Sequence, residues 1–174
     1  NISGLNNVLG VARELGVKQI YHPSSIAAFG PETPKENTPQ QTILRPTTMY
    51  GITKVASELL GAYYNQRYGL DVRGIRYPGV ISSETPRYTC FVREDTVLPM
   101  IYMPDCIRAT LMLMDANPTR LKHAADYNLA GLSFSVGQLA DEISKHIPHF
   151  KCTFRPDFRQ QIADSWPRTI DDSP

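Results

Sequence analysis

Hydrophobic positions follow a helical period in two stretches of the chain, with a strand-like run between them. Apolar residues recur every three or four positions over residues 2–15 and predict an amphipathic helix that ends at Gly16. Residues 52–63 repeat the pattern and predict a longer helix that ends near Gly69. Residues 17–22 are typical of a buried strand.

The second half of the chain carries shorter elements of both kinds. A helix is expected over residues 104–114, with Pro104 in its first turn, and Ser135 with Gln138 forms a capping box for a further helix. The proline-rich stretch 30–46 has no apolar period and is expected to be an irregular surface loop. Alternating helices and strands favour an α/β fold. Strand candidates cover residues 71–77, 88–92, 98–102 and 151–154.

Composition excludes several functional classes. The 174 residues are 41% hydrophobic and 20% charged, as in a globular protein with a sizeable core. A net charge of +1 gives no electrostatic argument for a nucleic acid or a membrane surface as partner. No apolar run approaches the roughly 20 residues that a membrane-spanning helix needs. Cys90, Cys106 and Cys152 lack C-x-x-C spacing and are expected to be reduced structural thiols.

The candidate chemistry lies in a tyrosine and a lysine four residues apart, Tyr50 and Lys54. Four residues make about one helical turn, so both side chains project from the same face of the expected helix. A free phenol has a pKa of about 10, and a neighbouring ammonium group lowers that pKa and favours the phenolate. The pair therefore suits proton abstraction from an alcohol at neutral pH.

Taken alone, Tyr-x-x-x-Lys is a weak signal, since a surface helix with a tyrosine near its start shows the same pattern. Ser24 and Ser25 make it more specific, because they follow the strand at 17–22. Open α/β sheets place their ligands at the carboxyl ends of strands. The Ser25 hydroxyl is suited to hold the substrate oxygen whose proton Tyr50 takes. A strand, a serine loop and a tyrosine helix in that order indicate hydride transfer between a carbinol and a nicotinamide.

These motifs resemble those of the extended short-chain dehydrogenase/reductase superfamily, and within it those of the NAD-dependent, epimerase-like L-threonine 3-dehydrogenases. The serine and tyrosine motifs are shared across the superfamily, including the sugar-nucleotide epimerases, whereas residues 98–106 and 156–167 point to the threonine enzymes. The resemblance covers nearly the whole chain and rests on residues 23–31, 45–51, 76–82, 98–106 and 156–167.

The resemblance implies an α/β fold, namely a Rossmann-type doubly wound parallel sheet with a small C-terminal α/β substrate domain. It also implies NAD as cofactor, no metal, and a homodimer formed through exposed apolar residues on the helix of Tyr50. The reaction would oxidise the side-chain hydroxyl of L-threonine with NAD and give 2-amino-3-oxobutanoate and NADH. The compartment would be the mitochondrion in a eukaryote and the cytoplasm in a bacterium.

The same resemblance assigns roles to individual residues. Ser25, Tyr50 and Lys54 would be catalytic, with Tyr50 and Lys54 also holding the cofactor, and Ser25 and Tyr50 the substrate hydroxyl. Pro78 and Val80 would contact the nicotinamide end of the cofactor.

Two further residue types have competing interpretations. By resemblance, Trp166 lines the substrate pocket and closes over the threonine methyl group; alternatively it packs on the small C-terminal domain. His22 is expected to pack under the site rather than act in catalysis. His146 and His149 lack the converging ligands of a zinc site and are expected near a helix end.

The chain departs from the family pattern in two places. No G-x-x-G-x-x-G motif is present, so the first half of the nucleotide-binding domain, with the acidic residue that would distinguish NAD from NADP, is expected to be absent. Arg87 follows Pro86 directly where the family has a glycine- and threonine-rich loop and a helix, which predicts a missing segment there. Residues 1–82 would then be the C-terminal part of the NAD-binding domain, and residues 83–174 mainly the substrate domain.

Two alternatives to a threonine dehydrogenase remain open. A sugar-nucleotide epimerase or reductase would use the same three residues with a larger pocket and tightly retained NAD. A non-catalytic NAD-binding relative would keep the fold alone, although the intact Ser25, Tyr50 and Lys54 argue against it.

Overall fold

The computed structural model describes residues 2–81 and 87–173. Two long helices and a series of short strands make up the first half, and Ile26–Ala28 form a single 3-10 turn. In chain order the elements are α1 (Ile2–Glu14), β1 (Gln19–Tyr21), β2 (Ser24–Ser25), α2 (Met49–Tyr68), β3 (Asp71–Arg73), β4 (Ile75–Tyr77) and β5 (Gly79–Ile81).

The second half contains shorter helices, and a 3-10 turn covers Pro118–Arg120. Its elements are β6 (Arg87–Cys90), β7 (Val97–Tyr102), α3 (Met103–Asp115), β8 (Tyr127–Asn128), β9 (Leu132–Ser135), α4 (Val136–His146), β10 (Lys151–Phe154) and α5 (Arg159–Asp164). The capping box of Ser135 and Gln138 opens α4 as predicted. Helix α5 was not expected from the sequence.

Two short parallel sheets, β1–β3 and β2–β4–β8, organise this part of the molecule and confirm the predicted α/β class. Strand β1 pairs with β3, β2 pairs with β4, and β4 pairs with β8, all in parallel. Gly74 separates β3 from β4 because the neighbouring backbones come close: a Cβ there would lie 2.5 Å from the carbonyl oxygen of His22. Ser25 pairs in register with Tyr77, so the two strands end together at one edge of the sheet.

Helices contact both faces of the β1–β3 sheet. On one face Val72 packs with Leu5 and Leu9 of α1 in a buried apolar cluster, against which α2 also packs. On the other face the Arg73 guanidinium and the Gln19 amide donate to backbone carbonyls at the end of α3. Alternate side chains of a strand point to opposite faces of the sheet, so a short strand can contact helices on both faces.

The remaining strands form two further small sheets. Strand β5 runs parallel to β7, β7 runs antiparallel to β9, and β6 runs parallel to β10. Pro78 ends the pairing of β4, as expected of a proline in a strand, but the chain resumes as β5 at once with a different neighbour. A second apolar cluster, built on Cys90, Val92, Leu98 and Ala163, lies in this part of the molecule.

The stretch 30–46 is irregular, but the expectation that it is surface was wrong for two of its threonines. Thr33 and Thr38 are 2% and 0% exposed. Thr38 forms a parallel bridge with Ile170, so the stretch is pinned by the C-terminal segment. Within the described ranges, no helix combines the length and apolar character needed to span a membrane.

Candidate active site

The serine loop begins where β2 ends. The Ser25 side chain caps the following 3-10 turn: its Oγ accepts a hydrogen bond of 3.2 Å from the backbone N–H of Ala27. The residue is half-buried, whereas Ser24 beside it is buried. The strand end and the tight turn after it therefore hold Ser25 at the carboxyl edge of the sheet.

Tyr50 and Lys54 lie at the start of α2 and on one face of it, as predicted. The Thr48 side chain caps the helix by accepting from the backbone N–H of Gly51 at 3.0 Å. The Lys54 Nζ atom is 5.4 Å from the centroid of the Tyr50 ring. Tyr50 is 50% exposed, so its phenol is accessible to a ligand.

The start of α2 lies directly against the serine loop. A Cβ atom at Gly51 would be 2.2 Å from the carbonyl oxygen of Ala27 and 2.6 Å from the Pro46 Cβ. Only a residue without a side chain permits this approach. The Lys54 Nζ also donates to the carbonyl oxygen of Pro23, at 2.6 Å. The structure thus brings together the two elements that carry the three residues, the serine loop with Ser25 and the start of α2 with Tyr50 and Lys54.

A buried ion pair lies behind these residues, and sequence reasoning missed it. The Arg76 guanidinium donates to both carboxylate oxygens of Glu58, at 3.0 Å from Nε and 2.8 Å from Nη2. The Ser24 hydroxyl donates to the same carboxylate at 2.5 Å. The available signals were an arginine inside a strand pattern and a glutamate four residues after Lys54.

His22 precedes the serine loop and is half-buried. Its Nε2 atom is buried without a hydrogen-bond partner among the described residues. Burial, and to a smaller extent the ammonium group of Lys54, lower the pKa of His22 below its usual value, so the neutral imidazole is favoured.

Pro78 and Val80 flank the turn between β4 and β5. Pro78 is buried, whereas Val80 is 41% exposed. A Cβ on the intervening Gly79 would lie 2.2 Å from the sulfur of Met100, so this turn is packed closely on β7. The turn follows Tyr77, which is in register with Ser25, and it therefore begins at the same edge of the sheet as the serine loop.

Trp166 lies between two apolar clusters. It packs against the cluster that Ile26 and Phe29 of the serine loop form with Ile170, and also against the cluster of Cys90, Leu98 and their neighbours. The tryptophan therefore joins the C-terminal segment to the loop that carries Ser25. Its predicted contact with a substrate stays a prediction.

The histidines near the end of α4 lie in a different setting. The Nε2 atom of His146 lies 3.1 Å from a carboxylate oxygen of Glu142, one turn earlier on the helix. Among residues 2–81 and 87–173, no group of three or more potential metal-ligating side chains lies together.

Comparison with known proteins identifies the family. Residues 1–96 match the NAD dependent epimerase/dehydratase family. The chain belongs to this family. The match covers α1 to β6 and therefore includes the serine loop and the whole of α2.

Three similar proteins carry the same name. Bovine mitochondrial L-threonine 3-dehydrogenase is 44% identical, over 99% of this chain and 52% of its own length. The holo form of a GalE-like L-threonine dehydrogenase from Cupriavidus necator is 46% identical, covers 98% of this chain and 62% of its own, and has a TM-score of 0.92. A monomeric L-threonine 3-dehydrogenase from a metagenome is 48% identical with a TM-score of 0.91, over 97% of this chain and 61% of its own.

The chain spans about half the length of the bovine relative. The alignment with that relative extends over 194 residues, although the chain has 174, so the relative contains positions without a counterpart here. The predicted missing segment between Pro86 and Arg87, and the domain boundary at residue 82, fall at residues 82–86, outside the described part of the chain.

Proposed function

We propose that this chain is part of an NAD-dependent L-threonine 3-dehydrogenase that oxidises the threonine hydroxyl to give 2-amino-3-oxobutanoate and NADH. The observation that carries the proposal is the close approach at Gly51, which sets the tyrosine helix on the serine loop. The similarity to threonine dehydrogenases over nearly the whole chain supports the choice of substrate.

The residues that would hold the cofactor suit its nicotinamide end. Lys54 offers a cation at the carboxyl edge of the parallel sheet, and Val80 presents an exposed apolar surface after β4. Open sheets of this class bind dinucleotides at that edge. When bound, NAD supplies the hydride acceptor.

The proposed mechanism assigns one task to each side chain. The Ser25 hydroxyl holds the substrate oxygen, and Tyr50, acting as the phenolate, takes the proton of that oxygen and becomes a neutral phenol. The Lys54 ammonium group, with Nζ at 5.4 Å from the centroid of the Tyr50 ring, places a positive charge beside that ring. Trp166, fixed between the serine loop and the second cluster, covers the threonine methyl group.

We also propose a homodimer formed through α2. The exposed side chains of Met49, Ile52, Leu59 and Tyr63 give this helix an apolar outer surface. One similar structure is described as monomeric, so sedimentation of the full-length protein would decide between the two states. The bovine relative is mitochondrial, and in a eukaryotic host we propose the same compartment; in a bacterium we propose the cytoplasm.

The first test measures NADH formation by the full-length protein with NAD and L-threonine. The Tyr50→Phe variant is expected to lose about 100-fold or more of the activity, because general base catalysis contributes at least that much. Tyr68→Phe, which alters the last residue of the same helix, is the matched control and should be fully active.

Two outcomes would contradict the proposal. If the protein binds NAD but does not oxidise threonine, the substrate assignment is wrong, and UDP-sugars become the next substrates to test. If threonine is oxidised equally by the wild type and Tyr50→Phe, Tyr50 is not the base.

A further inference from the structure

A buried polar cluster next to the site has no role in the mechanism above. It consists of Ser24, Glu58 and Arg76, which are 3%, 5% and 2% exposed. Removing a carboxylate and a guanidinium from water is costly, and apolar residues in their place are often as stable. Stability alone is therefore a weak explanation for charged groups at these positions.

Both carboxylate oxygens of Glu58 accept hydrogen bonds within the cluster. Glu58 Oε1 accepts from the Ser24 hydroxyl at 2.5 Å and from Arg76 Nε at 3.0 Å, while Oε2 accepts from Arg76 Nη2 at 2.8 Å. Arg76 Nη1 donates to the side-chain oxygen of Asn128 at 3.1 Å and to the backbone oxygen of Gln40 at 3.2 Å. Such a network fixes both the distance and the orientation of the groups that it joins.

Each member of the cluster is close in sequence to a residue of the proposed site. Ser24 precedes Ser25, Glu58 follows Lys54 by one helical turn, and Arg76 precedes Pro78 by two residues. In the sheet, Ser24 and Arg76 are partners in register on β2 and β4. The carboxylate on α2 therefore joins both strands whose ends carry site residues.

We propose that Ser24 and Glu58 are positioning residues that fix α2 against the end of β2, and with it the separation of Tyr50 from Ser25. This inference rests on the function proposed above. Two bonds join the helix to the strand end: Lys54 Nζ to the Pro23 carbonyl at 2.6 Å, and Glu58 to the Ser24 hydroxyl. Because a helix rises about 1.5 Å per residue, a slide of α2 by one residue would break both.

The Ser24 hydroxyl can be removed without removing the ion pair. Ser24→Ala in the full-length protein deletes only the bond from Ser24 to Glu58, keeps the bond from Lys54 to the Pro23 carbonyl, and leaves Arg76 paired with Glu58. Ser57→Ala is the matched control: Ser57 is also buried, at 2% exposed, but its hydroxyl donates to the Thr53 carbonyl of the same helix at 2.7 Å. Both variants lose one buried hydroxyl, and only one of them loosens α2 from β2.

For Ser24→Ala we expect kcat to fall about tenfold, the order of effect of one hydrogen bond to a charged group, with unchanged Michaelis constants for NAD and threonine. The deuterium isotope effect on kcat, measured with threonine deuterated at the carbinol carbon, should rise because the proton and hydride transfers become slower relative to the other steps. Ser57→Ala should keep the wild-type kcat and isotope effect. A merely structural role of Ser24 would lower the active fraction without changing the isotope effect.

Hydrogen exchange provides a readout that does not depend on the substrate. Backbone amides in the first turns of α2 and in residues 24–29 should exchange faster in Ser24→Ala than in Ser57→Ala. Equal exchange in the two variants, or an isotope effect unchanged by Ser24→Ala, would overturn the inference. A wild type that does not oxidise threonine, together with faster exchange in Ser24→Ala alone, would contradict the proposed function and leave the positioning role supported.

Discussion

Two positions on α2, eight residues apart, lie in opposite environments. Tyr50 in the first turn is 50% exposed, and Glu58 in the middle of the helix is 5% exposed. The first is open to a ligand, as a proton acceptor must be, and its phenol has few protein partners to fix it. The second is enclosed by Ser24 and Arg76, and its position is determined by three hydrogen bonds. The accessible end of the helix is therefore located by contacts made in its buried part.

Loss of the Glu58 charge should have the largest effect on stability, whereas loss of the Tyr50 hydroxyl should have none. Glu58→Gln removes the carboxylate that lies nearer to the buried Arg76 guanidinium and leaves that of Asp126 at 3.6 Å. We therefore expect the free energy of unfolding to fall by about 3 kcal/mol, the lower end of the cost of breaking a buried ion pair. Urea denaturation of the full-length protein would measure the change. Tyr50→Phe is the matched comparison, and its unfolding free energy should equal that of the wild type.

If Glu58→Gln and Tyr50→Phe unfold at the same urea concentration, the buried and the exposed position on α2 contribute equally to stability, and the contrast between them is wrong.

The double variant Glu58→Gln with Arg76→Met tests the same contrast further. Removing both charges should recover part of the lost stability, because no guanidinium is then buried beside an uncharged amide.

An intermediate effect is expected at the contact between the helix start and the serine loop. In Gly51→Ala the added methyl group would lie 2.2 Å from the Ala27 carbonyl oxygen, so the helix or the loop must move. We expect the free energy of unfolding to fall by about 1–3 kcal/mol, as for other overpacked sites. The kcat for threonine oxidation should fall as well, because Tyr50 moves with Gly51.

Gly10→Ala provides the control for this substitution. Gly10 also lies inside a helix, but in the described part of the chain no atom outside its two neighbours and the backbone of its own helix is within 4 Å of an added Cβ. Alanine there should stabilise the protein by about 0.5–1 kcal/mol through helix propensity. A Gly51→Ala variant with wild-type stability and activity would show that the contact at Gly51 does not determine the site.

The smallest expected effect concerns pH and His22. Burial lowers the pKa of His22 in the folded state, while an unfolded histidine has a pKa of about 6.5. Protonation therefore favours the unfolded chain, and the contribution of His22 to stability is present above about pH 6.5 and lost as the pH falls toward its folded pKa. His22→Leu should reduce this loss.

Thermal denaturation of His22→Leu and the wild type above and below about pH 6.5 would measure the difference. His149→Gln, an exposed site near the end of α4, is the control and should keep the wild-type pH dependence. If His22→Leu loses stability on acidification as steeply as the wild type, the neutral state of the buried imidazole does not contribute.

Local patterns in the sequence predicted much of the fold. The bounds of α2 follow from its apolar period, with Thr48 as its N-cap and Gly69 at its C-terminus in the left-handed conformation. The capping box of Ser135 and Gln138 predicted the start of α4. These signals were sufficient because helix periodicity and capping depend on residues only a few positions apart.

The two-residue strand β8 and the helix α5 were missed, since neither is long enough to show a period. Strand β5 was missed for another reason. Its pairing with β7 depends on a segment about twenty residues away, and the proline and glycine before it indicate only an interruption.

The sequence by itself determined the candidate chemistry: a phenol and an ammonium group one helical turn apart, and a serine at the end of a strand. The spacing of Tyr50 and Lys54 fixes their common face in any helix, so no tertiary information was needed. Only the tertiary structure brought the serine loop against α2 through Gly51 and enclosed Glu58 with Arg76. Those contacts join residues far apart in the chain, and their energies depend on burial, which a residue pattern does not specify.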